Sequence, residues 1–128
     1  MLGVKTYDQS YIDASRTATE ARIAAFDALD DPGAFESVYF NTMVLALDHL
    51  FMNRLRGVEG KDGNALNEVR VLANSIMENN GVMAADSQIK FKDGSIVGYE
   101  VGDPIALTVD DFRRLSAGVF DEIEARFT

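Results

Sequence analysis

The residues from Arg54 to Arg70, RLRGVEGKDGNALNEVR, hold most of the groups in this chain that could do chemistry. A connection between two helices is normally short and bland, yet this one crowds Arg54, Arg56, Glu59, Lys61, Asp62, Asn64, Asn67, Glu68 and Arg70 among three glycines. Guanidinium groups suit bidentate recognition of carboxylate or phosphate. Carboxamides at Asn64 and Asn67 can orient such an anion, and Gly57, Gly60 and Gly63 let backbone amides approach it. His49, the sole histidine, stands just upstream and is the one side chain suited to proton transfer near neutral pH. The candidate ligand-binding set is therefore His49, Arg54, Arg56, Lys61, Asn64, Asn67, Glu68 and Arg70, with a small anion as ligand.

The same residues also fit a second arrangement, in which Arg54, Arg56 and Arg70 pair with Glu59, Asp62 and Glu68 and simply order the connection. Four basic and four acidic residues lie between Asp48 and Arg70, a balance that suits internal pairing, since buried polar groups need partners with or without a ligand. Asp48 points about 100° away from His49 on an ideal helix, so it does not orient the ring as in a catalytic triad. A packed or surface histidine is the plainer reading.

Other catalytic patterns are missing. The chain has no GxSxG, P-loop, GxGxxG or HExxH motif, and the glycine triplet lacks the preceding strand of a dinucleotide loop. Zero cysteines exclude thiolate chemistry and disulfides. With one histidine, a zinc site would need several carboxylates. Glu122 with Glu124, and Asp110 with Asp111, do not converge on a helix and read as a solvated face and a complement to the helix dipole. No metal and no cofactor is expected, and no catalytic residue is assigned.

Helices must position the candidate set. Residues of about 8–29 form an alanine-rich helix with Ile12, Thr19, Ile23 and Phe26 near one face and Tyr11, Ala14, Ala18, Ala21 and Ala25 beside it, small residues that suit close packing. Asp31 followed by Pro32 resembles an N-cap and first-turn proline, opening a second helix over about 32–56. That helix is apolar on nearly every side, the mark of a central helix or an oligomer core. Asn64 caps a third helix over about 64–79, ended by Asn79, Asn80 and Gly81. Thr108, Asp110 and Asp111 open a fourth over about 109–127, whose stripe is Phe112, Leu115, Ser116, Val119, Phe120, Ile123 and Phe127.

Between the third and fourth helices the period changes to alternation. Ile89 and Phe91 interleave with Lys90 and Lys92, and Asp93-Gly94 is a two-residue hairpin signal, so a β-hairpin is expected over about 88–107. Such a hairpin must pack on the helices or pair with another chain. The expectation is a mainly α, four-helix bundle-like domain with a small β-hairpin before the last helix, spanning 1–128 as a single domain.

A formal net charge of -9 disfavours a broad surface for DNA or anionic membranes. No segment has the roughly 20 apolar residues of a membrane span and the N-terminus lacks an apolar leader, so a cytoplasmic address is expected. At the level of architecture the helices resemble the HEPN-type bundles, some of which cleave RNA with an arginine followed a few residues later by a histidine. Here His49 precedes Arg54, so the resemblance carries over no catalytic residue. The functional expectation is a non-enzymatic interaction or regulatory protein acting as a homodimer through its second helix or hairpin edge. The alternative is a small anionic-ligand or RNA-handling protein, with a hydrolase as one form of it, whose site is at 54–70.

Overall fold

The computed structural model describes residues 3–89, 91 and 94–128. Among them are five helices: α1 (Gln9–Asp27), α2 (Phe35–Leu50), the single turn α3 (Arg56–Glu59), α4 (Ala65–Glu78) and α5 (Val109–Arg126). Packing pairs α2 with α4, and α5 with α1, α2 and α4. No described helix is long and apolar enough to cross a membrane.

The amphipathic stripe of α5 buries every residue expected of it, and these meet Phe40, Met43, Val44 and Leu47 of α2 and Leu66, Val69 and Leu72 of α4 in one apolar cluster. Aromatic rings hold the corners: Phe40 lies 4.7 Å from Phe26 and 5.3 Å from Phe112, centroid to centroid. Local signals set two helix starts. Asn64 accepts from the amides of Leu66 and Asn67 at 2.9 and 3.2 Å, and Thr108 forms a reciprocal capping box with Asp111.

Several expectations are corrected. The second helix does not run over 32–56. Asp31 adopts a left-handed φ of 46° and caps nothing, a turn through Pro32 to Ala34 precedes the helix, and α2 ends at Leu50 in turns leading to α3. The helix stops where the Arg54 side chain takes up the carbonyl of Phe51 and approaches that of Asp48. Part of the apolar surface of α2 reaches solvent, since Phe35 and Val38 are exposed. On α1 the buried face is Ile12, Ser15, Thr19, Ile23 and Phe26, while Ala14, Ala21 and Ala25 face solvent. Larger side chains offer more apolar area to the core, and they win the inward face.

The hairpin is also corrected where it can be seen. Lys90, Lys92 and Asp93 of the turn lie outside the described residues, but the described part of 88–107 contains no strand. Side chains take the amides that a ladder would use. Ile96 and Val97 donate to Glu68, Glu100 donates to Asp103, Ala106 donates to the Tyr99 hydroxyl, and Leu107 donates to Asn41. Among the described residues the β-pairing consists of single bridges, Val82 with Pro104 and, elsewhere, Val4 with Arg54. Ile89, Ile105 and Leu107 are nevertheless buried, so the segment is a packed irregular cover.

Candidate functional site

Arg54 and Glu59 form the centre of the polar region, and both are withdrawn from solvent, at 4% and 0% exposure. The Arg54 Nε donates to Glu59 Oε1 at 2.8 Å, one terminal nitrogen donates to the Phe51 carbonyl at 3.0 Å, and the other donates to Asp48 Oδ1 at 2.9 Å and the Leu66 carbonyl at 3.3 Å. Arg70 grips the same Glu59 carboxylate through Nε and a terminal nitrogen, and Asn67 Nδ2 donates to Glu59 Oε2 at 2.8 Å. A carboxylate so deeply buried is tolerable because it accepts four charge-assisted or amide bonds.

The electrostatics follow from this geometry. Burial pushes the Glu59 carboxyl up, but the Arg70 hydrogen bond, the Arg54 and Arg70 charges and the Asn67 bond outweigh it and hold the group below the usual carboxylate range. Arg70 is opposed by burial and raised by Glu59, so it stays charged. A second tie closes the loop from outside. Arg126 at the end of α5 donates to the Glu59 carbonyl at 2.9 Å and pairs with Asp62 at 3.1 Å, and Asn64 Nδ2 donates to the Glu59 carbonyl at 2.8 Å.

The candidate residues thus divide. Arg54, Asn67 and Arg70 converge on Glu59, and Asn64 is a cap that also secures the chain beside it. Glu68 is buried but faces elsewhere, accepting the amides of Ile96 and Val97 at 2.7 and 2.9 Å. Burial raises its carboxyl against the lowering effect of those two bonds and the Arg114 charge. Lys61 is exposed and donates to Gln88 at 2.6 Å. Arg56 is exposed with no ion pair among the described residues, and His49 is exposed on α2.

Sequence reasoning missed Arg126, which lies 67 positions from Glu59. It also missed the N-terminal segment, whose Val4 amide donates to the Asn53 carbonyl at 2.7 Å and whose Val4 carbonyl accepts from Leu55 at 2.9 Å. Neither residue type nor spacing signals such partners. Among the described residues no three His, Asp or Glu side chains cluster as a metal site. Glu122 pairs with Arg126, Glu124 with Arg16, Asp110 with Arg113 and Asp111 with Arg114.

Hollows adjoin the helices, and two of them involve α1. A groove of about 330 Å³ between α1 and α5 has Ile23 and Phe120 in its lining, and its arginines are engaged, Arg16 with Glu124 and Arg113 with Asp27. A shallower cleft of about 570 Å³ lies at the end of α2, lined by Tyr7, Tyr11, His49, Leu50, Met52 and Asn53 among others. The Tyr7 ring packs edge-on against Phe51 at 5.0 Å. Its hydroxyl is buried without a partner among the described residues, and burial pushes it up to about 12 despite the Arg54 charge.

Fold and network together describe a mainly helical protein whose polar centre is an internally bonded Arg-Glu-Arg node. No family model matches the chain, and no curated protein or solved structure is significantly similar to it.

Proposed function

We propose that the chain is a single-domain, non-enzymatic interaction module, a bundle of four packed helices that self-associates through the outer face of α2. The carrying observation is the composition of that face. The exposed residues of α2 are Phe35, Val38, Thr42, Ala46 and His49, and none is Asp, Glu, Lys or Arg although the chain bears a net charge of -9. Phe35 is 48% exposed, Val38 62%, and Met52 in the following turn 56%. Solvent-facing helix surfaces are ordinarily polar, and a contiguous apolar stripe marks a contact surface.

The polar region supports this reading from the other side. Arg54 and Arg70, two of the three arginines that an anion site would use, are committed to Glu59, which makes the node a scaffold that holds the end of α2. The anionic-ligand alternative is left with Arg56 and Lys61. The hairpin edge offers no described strand for pairing, so the interface falls to α2.

Light scattering across the micromolar range tests the proposal. A mass rising toward twice that of the chain is expected, with Val38→Asp restoring the monomer without lowering the melting temperature. A strictly monomeric parent protein overturns it.

A further inference from the structure

The geometry points to a second copy docked antiparallel along α2, each copy seating its Phe35 in the cleft at the far end of the other's helix. This inference rests on the self-association proposed above and adds its register and its reciprocal contact.

Spacing is the first argument. Phe35, Val38, Thr42, Leu45, His49 and Met52 recur at intervals of three and four, the a/d pattern of a coiled-coil seam. All are exposed or half-exposed. Their counterparts on the opposite side, Phe40, Met43, Val44 and Leu47, are in the core, so the seam is a second face, uncharged and largely apolar with Thr42 and His49 as its polar members, rather than a fraying of the first.

Shape supplies the direction. The seam carries a protruding aromatic ring at its start and a concavity at its end, because His49 and Met52 are members of the stripe and also line the cleft with Tyr7 and Tyr11. The 16 residues of α2 extend about 24 Å. An antiparallel pair brings ring to cleft at both ends under one two-fold axis, the closed isologous contact that favours dimers over fibres. A parallel pair sets Phe35 against Phe35 and leaves both clefts open. In the antiparallel seam Phe35 faces the partner's Met52, Val38 faces the partner's His49, and Thr42 faces the partner's Leu45. Tyr7 and Tyr11 offer the ring edges and faces that aromatic side chains pack against, and their own rings stack at 6.0 Å.

Charge selects a second copy as the occupant. Two chains of net charge -9 repel, and a self-contact along α2 limits this because the seam itself holds no Asp, Glu, Lys or Arg, with Asp8 the one acidic residue in the lining of the cleft. An unlike partner of this acidic protein would gain from basic residues set against acidic ones, and the seam offers no acidic residue to meet them. A single helix-on-helix contact is small, so the pair belongs with the weaker, concentration-dependent interfaces.

The absence of cysteine gives a clean background for cross-linking. Val38→Cys and His49→Cys proteins, both altered at exposed positions, are prepared separately, then treated alone and as a mixture with a short bis-maleimide. The mixture is expected to give a covalent dimer at least about tenfold faster than either variant alone. Equivalent Val38 positions lie eleven residues apart along the antiparallel seam, about 16 Å, beyond such a linker. Phe35→Ala is expected to raise the dissociation constant at least about tenfold. Efficient linking of Val38→Cys to itself shows parallel docking and overturns the inference while self-association stands. A native dimer by light scattering without mixed cross-linking places the contact on another face. A monomer at all concentrations removes both this inference and the reading beneath it.

Discussion

Arg54 Nε and Glu59 Oε1 lie 2.8 Å apart, with neither side chain more than 4% exposed. They lie five positions apart in sequence, and the chain between them makes the turn through α3. The pair therefore fixes the direction in which the chain leaves α2. Removing Glu59 takes away the carboxylate that Arg54 and Arg70 share and leaves the buried Arg54 with Asp48 as its one ion partner, which costs far more than the pair itself contributes. Glu59→Ala takes the carboxylate acceptor from both Arg54 and Arg70 and is expected to lose about 3–5 kcal/mol of unfolding free energy. Arg56→Ala, at an exposed position two residues along, is expected to stay within about 0.5 kcal/mol of the parent. Urea denaturation at pH 7 checks the contrast, and similar losses for both variants would remove the node from its structural role.

Glu59 at the end of α3 and Glu68 in α4 are both buried, but they respond to pH with opposite sign. The folded state holds the Glu59 proton less tightly than the unfolded chain, so its stabilisation is complete above the unfolded glutamate value of about 4.3 and is lost as pH falls through the lower folded value. Glu68 is raised in the folded state, so its contribution is complete below about 4.3 and is lost as pH rises through the higher folded value. The stability gap between parent and Glu59→Gln is expected to widen from acid toward neutral pH, whereas that for Glu68→Gln narrows. Urea midpoints over that window decide it, and two gaps moving in the same direction would contradict the assignment.

The Glu68 carboxylate does the work that strand pairing was expected to do. By accepting the Ile96 and Val97 amides it fastens the irregular cover to α4, and Arg114 holds the Ile96 carbonyl at 2.6 Å. Glu68→Ala leaves those two amides without their acceptor, at a cost of about 1–3 kcal/mol each where they remain buried. Hydrogen exchange is the direct readout. Ile96 and Val97 are expected to lose protection while Val69 and Leu72 on α4 retain it, and unchanged exchange at 96 and 97 would count against the tether.

Legibility in the sequence followed the range of the interaction that decides each feature. Asn64 and Thr108 announce their helices because a cap bonds amides two or three positions away. The stripe of α5 is readable for the same reason, since every buried residue lies on one local period. The end of α2 is not, because a long apolar run continues past Leu50 and what halts it is a guanidinium folding back onto the last carbonyls. The alternation over 88–107 suggested a ladder, yet the amides of Ile96, Val97 and Leu107 go to Glu68 and Asn41, residues 28 to 66 positions away. The composition of the polar stretch anticipated the internal network in kind. It did not show that Glu59 is the hub or that Arg126 closes it from α5.

Gly118 marks where the cover meets α5 and gives a last prediction. A β-carbon there would lie 2.8 Å from Ile96 Cδ1 and 3.1 Å from the Ala65 β-carbon. Alanine in a helix interior gains about 1 kcal/mol over glycine, while overfilling a packed contact costs about 1–3 kcal/mol. The Ile96 methyl ends a flexible side chain, so most of the cost is the displacement of that residue rather than of the helices. Gly118→Ala in the parent is expected to be destabilising, and in an Ile96→Val background, where the obstructing methyl is gone, the same substitution becomes neutral or stabilising. A double-mutant cycle measures the coupling, expected at about 0.5 kcal/mol or more. Additive effects would mean that Ile96 does not rest on Gly118, and the placement of the 94–101 cover against α5 would fall with it.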